Sequence, residues 1–297
     1  MPNDAQRQKI ADGRGFIAAL DQSGGSSPKA LKLYGVDEDQ YSGEAEMFDR
    51  IHEMRARIVG SKAFDGDRVI GAILFEQTMD RDFHGRPAAE YLWEERGVVP
   101  FLKIDQGLAA EEGGMQPMKP MPDLDALLER AVAKGIFGTK ERSVIGRADE
   151  AGIGRIADGQ FEVGARVLRH GLVPILEPEV TISIPDKREA EAMLRDALLS
   201  RLDGVGDGRQ VMFKLTLPEE ANLYAPLVDH PKVLSVVALS GGYSREEANR
   251  RLAENRGVIA SFSRALTEGL SVEQSDDEFD RVLDATIQSV RDASVAP

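Results

Sequence analysis

No cysteine occurs in the 297-residue chain, which excludes a disulfide framework, a thiolate metal site and a cysteine nucleophile. Histidine is nearly as scarce. His52, His84, His170 and His230 are scattered without metal-ligand spacing, so no metal site is expected. No apolar run approaches the roughly 18–20 residues that span a bilayer. The first ten residues also lack the apolar core of a signal peptide. Basic charge is short as well: 37 Lys and Arg face 51 Asp and Glu, a formal net charge of −14. Such a balance does not suit a general nucleic-acid binder, which needs a basic surface. Together these absences point to a soluble, cytoplasmic protein without nucleic-acid or membrane partners. They also set a demand: an anionic substrate would require cations and backbone N–H groups concentrated in one pocket against the global field.

What is present is a regular alternation. Short apolar, β-branched runs at 16–20, 69–75, 98–104, 143–145, 172–176, 211–215, 234–239 and 258–262 predict strands, the fourth being the weakest. Most are too uniformly apolar for a half-exposed strand and suit a parallel sheet buried on both faces. Amphipathic segments lie between them. Asp186 opens one with Ala190, Met193, Leu194, Ala197, Leu198 and Leu202 at helical spacing, closed by Gly204. Ser244 and Glu247 have capping-box spacing. Helices are further predicted at 160–170, after Asp123, and at 276–290, while 113–122 with its three prolines reads as a loop. Eight strand signals alternating with helices are the signature of an α/β fold of the (β/α)8 TIM-barrel type. A doubly wound open sheet is the alternative before the motifs are weighed. No composition break marks a second domain, so residues 1–297 are expected to form one barrel with a C-terminal helix and short tail.

Polar residues interrupt the strands in a systematic way. Asp21 follows the first, Glu76 and Gln77 the second, and Lys103 with Asp105 sits on the third. Lys140 and Arg142 flank the start of the fourth, Glu177 and Glu179 follow the fifth, and Lys214 lies within the sixth. Ser240-Gly241-Gly242 follow the seventh strand, and Ser261 and Arg264 the eighth. Barrel active sites gather at the C-terminal strand ends. The pairs 103/105, 140/142 and 177/179 are spaced i, i+2, so in extended chain each projects to one side. Any one of them alone is more often a solvated strand end or a structural ion pair. A lysine inside an apolar run is harder to dismiss. Lys214 in Val-Met-Phe-Lys-Leu-Thr-Leu must bury its ammonium group or line a cavity. Burial disfavours the charged amine, and a neutral lysine amine is a nucleophile.

The Ser-Gly-Gly segment before the Ser244 helix start suits a phosphate cradle, with glycines admitting the anion to backbone N–H groups. Alone the motif is weak, but after strand seven, with Ser261 and Arg264 after strand eight, it matches the usual barrel phosphate position. Ser23-Gly24-Gly25-Ser26 either cradles a second phosphate or is a plain turn. Gly204, Gly206 and Gly208 lack the flanking strand and helix of a dinucleotide loop and read as a turn. Tyr91 and Trp93 are expected to pack against the barrel.

Taken in order, these segments resemble the class I fructose-bisphosphate aldolases, in their shorter bacterial form, from about residue 17 to 270. Ala-Leu-Asp21-Gln-Ser, Lys103-Ile-Asp105, Lys140-Glu-Arg142, Val-Pro-Ile-Leu-Glu177-Pro-Glu179, Lys214 and Leu-Ser240-Gly241-Gly242 carry the likeness, with Ser261-Phe-Ser-Arg264. The resemblance implies that Lys214 forms an imine with the substrate ketone, without metal or other cofactor. It implies that Glu177 is the general acid/base, supported by Glu179, and that Lys140 stabilises developing charge. Asp21 would assist proton removal from the C4 hydroxyl, and Lys103 and Asp105 would orient substrate hydroxyls. Ser240, Gly241, Gly242, Ser261 and Arg264 would hold one phosphate, with Arg142 and Ser26 towards the other. It further implies a glycolytic, homo-oligomeric enzyme, a tetramer. Two departures from the animal pattern stand out. The sequence closes Ala-Ser-Val-Ala-Pro rather than on a tyrosine, and Gln22 and Ala30 replace a glutamate and an arginine. Two other readings compete: a non-covalent barrel isomerase for a triose or pentose phosphate, and a binding protein that kept the fold without turnover.

Overall fold

The structure, a computed structural model, describes residues 4–296. Eight parallel strands form the barrel wall in chain order: β1 Phe16–Leu20, β2 Val69–Leu74, β3 Val99–Lys103, β4 Gly138–Ile145, β5 Val173–Val180, β6 Val211–Thr216, β7 Val233–Leu239 and β8 Val258–Ala260. Seven ladders join neighbours along this order. The wall closes where Ala19 N–H donates to the Phe262 carbonyl at 3.2 Å. The principal helices are α1 Asp4–Asp12, α2 Ser27–Tyr34, α3 Gly43–Gly60, α4 Leu124–Ala133, α5 Glu150–Arg169, α6 Lys187–Leu202, α7 Arg245–Ala253 and α8 Asp276–Ser294. The alternation predicts a TIM barrel, and that is the fold.

Several boundaries differ from the sequence expectation. The fourth strand, expected at 143–145, begins at Gly138, so Lys140 and Arg142 lie inside it rather than at its start. The fifth continues to Val180, so Glu177 and Glu179 are strand residues rather than its successors. The helix expected at 160–170 is the second half of α5. The capping box at Ser244 is half formed: its hydroxyl accepts from Glu247 N–H, while the Glu247 carboxylate turns to Arg250 and Arg251. Met115 and Gln116, expected in a loop, pair antiparallel with the end of β4.

Two layers of apolar side chains follow from the two-residue strand period. Ile17, Ile73, Phe101, Ile175, Met212, Val237 and Ile259 fill the barrel interior, with Ile10 of α1 and Trp93 packed among them. Tyr91 joins the core between wall and helices. Phe101 needs room, and glycine supplies it. A Cβ on Gly138 would collide with the Val173 carbonyl and lie 2.9 Å from the Phe101 ring. Two residues further along, each strand reaches the mouth of the barrel: Phe101 gives way to Lys103, Ile175 to Glu177 and Met212 to Lys214. The fold thus delivers a ring of charge on an apolar plug.

Candidate active site

A cavity of about 400 Å³ opens at the C-terminal ends of the strands. Asp21, Lys103, Asp105, Lys140, Arg142, Glu177, Glu179 and Lys214 line it, as do Ser26, Ser240, Gly241, Ser261 and Arg264. The structure therefore brings together residues that the sequence reading drew from seven different strands or their ends. Gly242 stands at its edge, 3.5 Å from Arg264 measured from an added Cβ.

At the centre, Glu177 bridges two lysines. Its Oε1 lies 3.0 Å from Lys214 Nζ and its Oε2 lies 2.9 Å from Lys140 Nζ. All three side chains are buried. Lys140 also meets Asp21 at 2.7 Å and Asp105 at 4.0 Å. Burial alone would lower the Lys140 pKa, but the carboxylates of Asp21, Glu177 and Asp105 raise it well above the ordinary lysine value. The converse holds for Asp21, where burial opposes ionisation but Lys140, Lys214 and Lys103 hold the carboxyl far below its usual range. Asp105 is lowered too, against its burial, by Lys140 and Lys103. Lys103 Nζ pairs with Asp105 at 2.7 Å. Around pH 7 the centre thus contains ionised Asp21 and Asp105 and charged Lys140.

The backbone of Glu177 is fixed from outside the barrel. Its N–H donates to Gln160 Oε1 at 3.2 Å, and Gln160 Nε2 donates to Ser143 Oγ at 2.7 Å. Next to it, Pro178 has no N–H to offer the ladder. Beyond Leu176 the β5–β6 register stops, and Thr216 Oγ1 bridges the gap, accepting from Val180 N–H and donating to the Val180 carbonyl. The sequence reading missed Gln160, a polar residue on the buried stripe of α5. Glu179, expected to support Glu177, pairs with Arg142 at 2.8 Å.

On the other side lies a set of unused donors. Gly241 and Gly242 have φ of +59° and +118°, a conformation that favours glycine. Among the described residues their N–H groups have no acceptor, the Arg264 guanidinium has no partner, and the buried Ser261 Oγ has none. An anion would complete all of them. At the outer rim Ser23 and Ser26 close a turn on each other, with Ser23 N–H donating to Ser26 Oγ at 3.1 Å. The segment is a turn, and Ser23 and Ser26 also line the cavity. Lys29, in the first turn of α2, also lines the cavity and was missed by the sequence reading. The lining includes six cations (Lys29, Lys103, Lys140, Arg142, Lys214, Arg264) and four carboxylates (Asp21, Asp105, Glu177, Glu179). The local balance is +2 on a chain of net −14. The demand for local positive potential is met. Among the described residues no group of three or more His, Cys, Asp or Glu is arranged to hold a metal ion. No helix among them is long and apolar enough to cross a membrane.

No protein-family model matches the chain. A class 1 fructose-bisphosphate aldolase from Synechocystis sp. is 54% identical over 294 residues, covering 99% of this chain and 98% of that protein. Among solved structures, a fructose-bisphosphate aldolase from Plasmodium falciparum, crystallised with TRAP and a small-molecule inhibitor, matches with a TM-score of 0.75. That match covers all of this chain and 96% of the other at 21% identity, and at that identity it speaks for the fold alone. Fold and curated relative together make the protein a (β/α)8-barrel lyase. It belongs to the class 1 fructose-bisphosphate aldolases.

Proposed function

We propose that the chain cleaves fructose 1,6-bisphosphate reversibly to dihydroxyacetone phosphate and glyceraldehyde 3-phosphate, with Lys214 as the covalent centre. The observation that carries this reading is the Lys214–Glu177–Lys140 bridge, buried at the mouth of the barrel. A non-covalent isomerase has no use for two lysines on one carboxylate.

In the proposed course, the Lys214 amine attacks the C2 ketone to give a carbinolamine. Glu177, within proton-transfer reach of Lys214, shuttles the proton as water leaves and a protonated imine forms. Asp21, held ionised beside Lys140, accepts the C4 hydroxyl proton. The C3–C4 bonding pair then moves into the imine, giving an enamine, and the aldehyde product departs. Protonation of the enamine and attack of water on the imine return free Lys214 and release the ketose phosphate. The imine supplies the electron sink that a Lewis acid supplies in metal-assisted reactions. Gly241, Gly242, Ser240, Ser261 and Arg264 hold one phosphate. Ser26, Lys29 and Arg142 face the other, and Lys29 takes the part left open by Ala30. Lys103 and Asp105 orient hydroxyls between them. The whole chain acts as one catalytic unit, without metal, in a cytoplasmic homo-oligomer of glycolytic role.

The test is chemical trapping. Incubation with dihydroxyacetone phosphate followed by sodium borohydride should leave a reduced adduct on Lys214, located by peptide mass spectrometry. It should be absent without substrate and absent in Lys214→Met. A folded protein that binds the triose phosphate and gives no adduct would overturn the imine mechanism.

A further inference from the structure

One buried cation stands outside this machinery. Arg55, on the inner stripe of α3, is 1% exposed, and no carboxylate pairs with it among the described residues. Its Nη1 donates to Thr78 Oγ1 at 2.7 Å, and its Nη2 donates to the Gln22 carbonyl at 2.5 Å and to Gln22 Oε1 at 3.2 Å. Burial pulls its pKa down to about 9, with Asp21 opposing and Arg81 adding, so it stays charged at neutral pH.

A charged guanidinium has donors only. It therefore fixes which way the Gln22 amide lies: oxygen towards Arg55, nitrogen away. The nitrogen donates to Ser263 Oγ at 2.8 Å. Ser263 starts the helical turn Arg264–Thr267, where a serine side chain ordinarily caps, yet its hydroxyl makes no cap bond. Its oxygen is engaged as an acceptor, and among the described residues its own hydrogen has nowhere to go. Gln22 and Ser263 both line the cavity, beside Arg264 and Ser261.

We propose that Arg55, Gln22 and Ser263 form a relay that commits the Ser263 hydroxyl to donating into the cavity, adding a contact to the phosphate gripped by Arg264 and the 240–242 loop. The proposal rests on the aldolase reading and extends it to three residues. Arg55 and Gln22 are positioning residues, and Ser263 is the one that touches substrate. A glutamate at position 22 would reverse the relay: its carboxylate would accept from Ser263 and turn a lone pair towards the anion.

A double-mutant cycle tests this. Ser263→Ala, Gln22→Met and the double variant are assayed for KM with fructose 1,6-bisphosphate and for competitive inhibition by inorganic phosphate. A hydrogen bond to a charged partner corresponds to about tenfold or more in each constant. Each single variant should show that rise, and the double variant no more than the worse single. Multiplying effects would overturn the relay, because Gln22 would then act without Ser263. So would a Gln22→Met protein whose phosphate inhibition is unchanged while Ser263→Ala loses it. Arg55→Met should reproduce Gln22→Met in phosphate inhibition. If that variant does not fold, the cycle decides alone: Ser263 is half-buried, and Gln22→Met leaves Arg55 its bonds to the Gln22 carbonyl and Thr78 Oγ1. Borohydride trapping on the same proteins separates the two readings. Adducts with a multiplying cycle sink the relay only, whereas no adduct on the unmodified protein sinks the aldolase reading and the relay with it.

Discussion

At the residue scale, one strand carries both charges that line the cavity and a hidden cost. Lys140 and Arg142 point into the cavity, and Glu141 between them points to the other face of the wall, where it is 0% exposed. Neither of its carboxyl oxygens meets a hydrogen-bond partner in good geometry. Burial, and then the charge of Asp105, push its pKa well above the ordinary glutamate range against the pull of Lys140. A raised folded pKa contributes stability that is fully present below the unfolded value of about 4.3. It is lost as pH rises through the folded value, because only the unfolded chain gains by ionising. Glu141→Gln should therefore raise the melting temperature more at about pH 8 than at about pH 5. Thermal melts at the two pH values check this, and an equal shift at both would refute it. Polar residues inside apolar patterns were the legible signal for Lys214 and Lys103. Arg55 gives the same signal on the stripe of Met47, Ile51, Met54 and Ile58, but helical periodicity blurs it where a strand makes it plain.

At the element scale, β4 explains why part of the barrel was hard to read. Gly-Thr-Lys-Glu-Arg-Ser has no apolar run, because its inward positions serve the cavity and its outward ones hold Thr139, Glu141 and Ser143. Apolar-run logic finds strands that fill the core and catches only the end of one whose inward positions line the cavity. The other seven strands were legible because their lower halves are plug. Which strand ends converge was legible from topology. Pairings such as Arg142 with Glu179, or Gln160 under Glu177, depend on register and rotamers that spacing does not encode. Glycine usage makes a testable point here. Gly138→Ala should destabilise by about 1–3 kcal/mol, because neither the Val173 backbone nor the Phe101 ring can yield. Gly71→Ala meets the same ring at 3.1 Å and the Val99 carbonyl at 3.3 Å, and should cost less than Gly138→Ala. Denaturant unfolding of both variants checks the order.

At the scale of the whole molecule, the barrel has an uneven circumference. Eight residue pairs join β4 to β5, whereas among the described residues β1 meets the other edge through one backbone bond, from Ala19 to Phe262 just beyond β8. Side chains reinforce that seam. Gln22 reaches Ser263, and α8 lays Ser294 Oγ against Ala260 N–H at 3.0 Å while Asp280 accepts from Ser61 and Asp284 from Arg68. Ser294→Ala leaves the buried Ala260 N–H without its acceptor, which should cost about 1–3 kcal/mol. The Ala260 amide should then exchange with deuterium faster than those of β5, and unchanged exchange at Ala260 would count against a side-chain clasp.

That seam has a consequence for how the protein comes into being. Groups that meet there are separated by more than 240 residues, 241 between Gln22 and Ser263, so no early segment of a nascent polypeptide can rehearse the closed ring. A chain still short of β8 and α8 is an open, twisted sheet with a bare edge and an uncovered plug, the kind of species that associates with its own copies. The cavity, which draws on β1 and on the segment that follows β8, is complete only once the circle is shut. Activity should be among the last properties acquired during synthesis, after the last strand and helix have emerged.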